Sequence, residues 1–299
     1  MREYELIIIG GGAAGMLAAI EGKKKGINEI LVIEKDPILG GNLNSADYPI
    51  NKDRTVTGKE YKVALLDKFN KLDIEVKLNT LVLKIEEKDV LCTSEINGIE
   101  KIRGKSIIIA NGGKEGGRKA VDMVGDRCSG IYTLSMAKKI FALDRLPGKN
   151  ILIYGNSTLY MIKDKLKEKG LNIAGIVIKD NSNETYDLSN NIYKDYNIAS
   201  IEGEGRVSSV KLIKDNDIKT VLCDTVIFSM PMLSDGLVAM RSGIRLNPKT
   251  TGAEVNDNFE TSKEGIYAIG NGIYIHNSIE EIEKECSKVI KNIVKVLEE

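Results

Sequence analysis

Apolar positions along the chain fall into short solid runs, each ending in glycine, with stretches of helical spacing between them. "YELIIIG" is such a run, and its unbroken apolar character predicts a strand buried on both faces of a parallel sheet. "AAGMLAAIEGKKKG" follows with small and apolar residues at helical intervals and a glycine stop at Gly26. "EILVIEK" then supplies a second strand. Strand, helix and strand in this order predict a βαβ unit with a right-handed crossover.

The pattern continues with a helix over "GKEYKVALLDKFNKLDI" and a series of strands over "EVKLNTLVLKIEEKDVLCTSEINGIEKIRGKSIIIANGG", with turns at "NG" and "RG". "TLSMAKKIFALD" has helical spacing. "KNILIYGNSTLYMIKDKLKEKGLNIAGIVIKD" then repeats the opening order: strand, glycine turn, amphipathic helix, glycine stop, strand. An Asn-rich polar segment, 180–197, predicts a loop or a shortened element. "VSSVKLIKD", "IKTVLCDTVIFSM" and "EGIYAIGNGIY" are strand-like, and the chain closes on an amphipathic helix, "SIEEIEKECSKVIKNIVKVLEE". The predicted class is α/β, with two Rossmann-like three-layer domains, the second inserted in the first and reduced. The expected boundaries are 1–112 and 229–299 for the two segments of the first domain and 113–228 for the inserted one.

Composition narrows the chemistry. Among 299 residues, 43 basic side chains balance 43 acidic ones, so no excess positive field draws the chain to nucleic acid. "GKKKG" and "KDKLKEKG" are expected to be solvated helix faces. No stretch approaches the roughly 20 apolar residues that cross a bilayer, and no signal-peptide pattern is evident, so a cytoplasmic protein without membrane insertion is expected. Cys92, Cys128, Cys223 and Cys286 are widely spaced and contain no CxxC pair, which suggests reduced thiols. With His276 as the sole histidine, a zinc site or a Ser-His-Asp triad has little support, and no metal is expected. The chemistry is expected to come from a bound cofactor.

Gly10, Gly12 and Gly15 form G-x-G-x-x-G directly after a strand and at the opening of a helix. The first glycine permits the tight turn, the second lets the backbone approach a pyrophosphate, and the third lets helix and strand pack closely. Ala13 and Ala14 lie between them, where helix N–H groups face an anion. Glu34, 24 residues after Gly10 and beside Lys35, ends the second strand. A carboxylate there accepts from ribose hydroxyls and repels a 2′-phosphate.

With these residues in place, the chain resembles the two-dinucleotide-binding-domain flavoproteins, the pyridine nucleotide–disulfide oxidoreductase superfamily. The resemblance implies FAD on the first domain, its pyrophosphate at Gly10–Gly15 and its adenosine ribose at Glu34. "ILGGNLNS" is similar to the family's "LGG" segment and places Gly40, Gly41 and Asn42 near the cofactor. "NTLVLKI" is similar to the strand whose backbone meets adenine, near Val82. "IIIANGGK" is similar to the "ATGG" crossing between domains, at Ala110, Asn111 and Gly112. "TSKEGIYAIGNG" resembles the second FAD fingerprint, with Gly270 and, in place of its acidic residue, Asn271. An asparagine still hydrogen-bonds a ribityl hydroxyl. The chain looks most like a subgroup found beside glycerol-3-phosphate dehydrogenase-type flavoproteins.

Two departures from the family pattern bear on function. "GGNLNSADYPI" holds no cysteine and Cys128 stands alone, so no dithiol relay is expected. In the repeated loop only Gly155 survives, with Ser157 and Tyr160 at the second and third glycine positions. A side chain at the second position obstructs a pyrophosphate. Gly155, Asn156, Ser157 and Asp180 are the candidate contacts for NAD(H) or NADP(H). His276, just after the second fingerprint, is the candidate catalytic residue, for tuning flavin charge or moving a proton.

The expected function is an FAD-dependent oxidoreductase acting on a small molecule or a redox protein, with NAD(P)H as a candidate donor and homo-oligomerisation open. The alternatives are an FAD-binding electron-transfer or structural subunit fed by a partner flavoprotein or iron–sulfur protein, and a scaffold without flavin.

Overall fold

A computed structural model describes residues 3–115, 125–126, 128–156, 158–179 and 188–298. The chain divides into two compact units. One comprises Met1–Lys114 together with Leu233–Glu299, and the other comprises Glu115–Met232.

In the first unit, β1 (Glu3–Ile9) lies between β2 (Ile30–Ile33) and β6 (Gly98–Ile109), and β3 (Glu75–Lys77) flanks β2, all in parallel register. A late strand, Ile266–Ala268, pairs in parallel with the end of β6. β4 (Thr80–Glu86) and β5 (Asp89–Ser94) form an antiparallel meander with the first half of β6. Leu6 and Ile8 on one face of β1 pack under α1 (Ala13–Lys24), α2 (Gly58–Asn70) and the C-terminal helix Ile279–Glu298. Ile7 and Ile9 pack against the meander and the short helix Leu237–Arg241. The unbroken isoleucine runs are therefore buried on both sides, as a three-layer sheet requires.

The "RG" turn is not formed. Gly104 lies inside the twelve-residue β6, where a Cβ would come within 2.9 Å of Ile7 Cδ1. The glycine admits close packing as β6 exchanges its antiparallel partner β5 for its parallel partner β1.

The second unit holds a five-stranded parallel sheet in the order Ile192–Lys194, Asn172–Ile178, Asn150–Tyr154, Thr225–Phe228, Ile131–Thr133. A three-stranded antiparallel sheet, Asn197–Glu202 with Ser209–Lys214 and Asp217–Leu222, packs its inner side chains, Val210 and Leu212 among them, against Leu152 and Val226. One strand of the parallel sheet, Ile192–Lys194, falls within the Asn-rich segment. Helix Leu134–Ala142 covers the other face. After Gly155 the expected amphipathic helix is reduced to a 3-10 turn, Leu159–Met161, and a six-residue helix, Lys163–Glu168.

Candidate functional site

The site is built at the C-terminal ends of β1, β2 and β6. Gly10 has φ +110°, and its N–H donates to Ile33 O at 2.8 Å, so the chain turns tightly off β1. A Cβ on Gly10 would lie 2.5 Å from Ala110 O, and one on Gly15 would lie 1.8 Å from Gly10 O. Both glycines are therefore fixed by the fold itself.

Gly12 is different. Its backbone is extended (φ −79°), and a Cβ there would meet nothing within 4 Å. No contact among the described residues demands a glycine here, so the space is open to the approach of a ligand, at a helix N-cap where glycine is itself favoured over alanine. Gly12 caps α1, which no side chain caps and whose first turn, with Ala13 and Ala14, carries no acidic residue. Its free N–H groups and helix dipole suit an anion. The residues thus fit a dinucleotide pyrophosphate.

Glu34 is buried, and its carboxylate accepts the Gly11 N–H at 2.7 Å and the Asp36 N–H at 2.8 Å. It ties the glycine loop to the end of β2, and each oxygen keeps acceptor capacity for a hydroxyl. Lys35 turns outward to an exposed ion pair with Asp36 at 3.2 Å. Gly40 and Gly41 both have positive φ. The Gly40 N–H donates to Gly11 O at 2.8 Å, and a Cβ on Gly41 would lie 3.2 Å from Gly12 Cα. This turn therefore borders the glycine loop, with Asn42 exposed at its start. Val82 is buried in the core between the sheet and the meander, its backbone paired in register with Cys92.

Ala110 follows β6. Asn111 donates its amide N–H to Asp235 O at 2.7 Å, while its Oδ1 is buried without a hydrogen-bond partner. Gly112 (φ +78°) accepts the Asp235 N–H at 3.0 Å. Beside them stands the Gly270–Gly272 turn. A Cβ on Gly270 would lie 2.8 Å from Ala14 Cβ, and one on Gly272 would lie 2.9 Å from Asn111 Oδ1. Asn271 Oδ1 accepts the backbone N–H of His276 and lies 3.0 Å from its ring Nδ1, while His276 Nε2 lies 2.7 Å from Glu285 Oε1. The His276 ring stacks on Tyr274 with centroids 4.1 Å apart. Burial and the neighbouring Glu285 push the Tyr274 phenol up to about 12.

The fold thus gathers Gly10–Gly15, Glu34, Gly40–Asn42, Ala110–Gly112 and Gly270–Asn271 on one unit, with His276 behind Asn271. The sequence reading missed Glu285 and Asp235. Glu285 leaves a signal: it occupies the apolar stripe of the C-terminal helix with Ile282, Cys286 and Val289, where a solvated charge does not belong.

In the second unit, Gly155 reproduces the geometry of Gly10. It has φ +88°, an N–H donated to Val177 O at 2.9 Å, and a Cβ that would lie 2.5 Å from Ser229 O. Asn156 is buried and accepts the Lys179 N–H at 3.2 Å. The likeness ends there, because the loop is followed by only a 3-10 turn, Leu159–Met161, and the six-residue helix Lys163–Glu168, where the first unit has the twelve-residue α1. Ser157 and Asp180 lie outside the described residues. Among the described residues no helix is long and apolar enough to cross a membrane, and no group of three or more His, Cys, Asp or Glu side chains is placed to hold a metal.

Fold and site together define a two-unit, dinucleotide-binding α/β protein. The sequence profile of the pyridine nucleotide-disulphide oxidoreductase family matches residues 4–159, and the chain belongs to that family. It is 22% identical to a ferredoxin–NADP reductase of Picrophilus torridus, covering 91% of this chain and 86% of that one. It is 25% identical to a ferredoxin–NADP reductase of Streptococcus agalactiae, over 93% and 88% of the two chains. Among solved structures, the thioredoxin reductase of T. acidophilum superposes with a TM-score of 0.74 at 17% identity, over 99% of both chains. The cofactor of this oxidoreductase class is FAD, and its nucleotide partners are NAD(P)(H).

Proposed function

We propose that the chain is an FAD-dependent oxidoreductase that moves electrons between a nicotinamide nucleotide and a small redox protein of the ferredoxin type. The observation that carries the reading is the open space at Gly12 at the uncapped start of α1, beside the Gly40–Gly41 turn. In this reading the N–H groups at Ala13–Gly15 bind the FAD pyrophosphate, and Glu34 accepts from the adenosine ribose. Gly40–Asn42, Ala110–Gly112 and Gly270–Asn271 border the remainder of the cofactor, near Val82 on the adenine side. When bound, FAD supplies the exchange between two-electron hydride chemistry and one-electron transfer. The protein's part is to bind, to orient and to keep water away. The names of the similar proteins support the redox-protein partner, and the absence of a CxxC pair supports a reaction without a protein dithiol. Gly155 and Asn156 are the nicotinamide-nucleotide contacts of this reading among the described residues, and the short 3-10 turn and six-residue helix behind them, in place of a full helix, predict weak nucleotide binding.

The test is anaerobic. Purified protein with stoichiometric FAD is titrated with NADH, NADPH and a reduced ferredoxin while the flavin absorbance is followed. Bleaching by at least one nicotinamide nucleotide and by the ferredoxin is expected. A protein that takes up no FAD, or whose flavin responds to neither class of donor, overturns the reading.

A further inference from the structure

The second FAD fingerprint carries Asn271 where an acidic residue is the rule, and the surroundings of Asn271 give the substitution a chemical sense. Its Oδ1 receives the backbone N–H of His276 at 3.0 Å. A backbone N–H can only donate, so the atom that meets it is the amide oxygen; the flipped amide would set donor against donor. His276 Nδ1 lies 3.0 Å from the same oxygen and therefore carries its hydrogen. On the far side of the ring, Nε2 lies 2.7 Å from Glu285 Oε1, while Glu285 Oε2 accepts the Gly270 N–H at 2.8 Å. The side chains of His276 and Glu285 are only 1% and 6% exposed, so both rest on these partners rather than on water.

The relay consumes the oxygen of Asn271 and leaves its Nδ2, which makes no hydrogen bond among the described residues. The turn that carries it packs on Ala14 in the first turn of α1 and on Asn111.

We propose that Asn271 is an oriented hydrogen-bond donor to bound FAD, its amide locked by a Glu285–His276 relay. The chain then presents an N–H to an oxygen of the cofactor where an acidic residue would present another oxygen. Glu285 and His276 are positioning residues. The proposal rests on the FAD reading above and deepens it.

Two measurements test it. Because His276 is the only histidine, a [15N]histidine-labelled protein without FAD gives just two ring-nitrogen signals. The expected spectrum shows a hydrogen-bearing Nδ1. In Glu285→Gln the backbone N–H of Gly270 holds the new amide oxygen, so its NH2 faces the ring. Nδ1 keeps its hydrogen there, and Nε2 becomes a bare acceptor. A bare Nδ1 in the wild-type protein overturns the relay.

The second measurement is FAD affinity of the FAD-stripped protein, read by quenching of flavin fluorescence. Asn271→Ala removes the N–H and is expected to weaken FAD by about tenfold, whereas Asn271→Asp still accepts from a cofactor hydroxyl, as an acidic residue at this position does, and is expected to keep FAD bound. Unchanged binding in Asn271→Ala overturns the contact. If the wild-type protein itself binds no FAD, it is the FAD reading that fails, and the nitrogen signals still decide the relay.

Discussion

Glycine at position 12 has a different physical origin from glycine at 10 and 15, and the three separate folding from binding. Gly15→Ala drives a Cβ into Gly10 O, and Gly10→Ala into Ala110 O, both backbone atoms that cannot step aside. Either change is expected to cost about 3 kcal/mol or more, read as a lowered midpoint in urea. Gly12→Ala meets nothing among the described residues, so it should lose only the N-cap preference of glycine over alanine, about 1 kcal/mol in urea unfolding. If the FAD pyrophosphate lies there as proposed, a methyl group blocks it, and the same variant should purify without yellow colour. The cysteines separate in the same way. Burial pushes the thiols of Cys92 and Cys286 up and that of Cys223 up to about 11. A raised thiol pKa means little thiolate at neutral pH, so these three should react with a thiol reagent only after unfolding or, for Cys223, as pH nears 11. Cys128 is only partly buried and should react first. If no protein dithiol takes part, Cys128→Ser retains the wild-type rate of electron transfer to a ferredoxin. A loss of a hundredfold or so in that rate makes Cys128 part of the reaction.

At the level of elements, the sheet and its long helices were legible because solid apolar runs and helical spacing have few other solutions. The run "LIIIG" is β1, "GKEYKVALLDKFN" is α2, and "TLSMAKKIFA" is a helix capped by Thr133. Less legible were the features decided by contacts distant in sequence. Gly104 resembled a turn residue, yet Ile7, nearly a hundred positions earlier, fixes it inside a strand. The glycine loop and the Asn271 turn each carry a local signature. Glu285, by contrast, becomes part of the site only because the C-terminal helix packs its apolar stripe on α1. Cys286 in that stripe reaches Ala14 O at 3.4 Å, and Val289, Ile290 and Ile293 are fully buried beside it. The helix therefore supports the site as well as the core. Ile290→Ala should lower stability by about 2–5 kcal/mol in urea unfolding, the cost of a cavity in a packed core. Because Ile290 is one turn and more from Glu285, FAD affinity of the folded fraction should stay close to wild type.

At the level of the whole molecule, every residue assigned to FAD lies in the unit made of Met1–Lys114 and Leu233–Glu299, and the inserted unit contributes none of them. The two cut ends of this unit are neighbours: Asp235 donates its N–H to Gly112 O at 3.0 Å and pairs with Lys114 at 3.0 Å. A short Gly-Ser linker from Lys114 to Leu233 can therefore replace Glu115–Met232 without stretching the chain. The first unit keeps its own sheet, its covering helices and two apolar clusters on opposite faces, which is what an independently folding domain needs. The shortened protein is expected to fold cooperatively, to bind FAD with an affinity within about tenfold of the full chain, and to lose reduction by NADH and NADPH. Circular dichroism through a thermal scan, flavin fluorescence and anaerobic titration read these three outcomes separately. A shortened protein that folds but binds no FAD would move part of the flavin site into Glu115–Met232. Continued rapid reduction by a nicotinamide nucleotide would remove that unit from the electron path, and with it the reason to read Gly155 and Asn156 as nucleotide contacts.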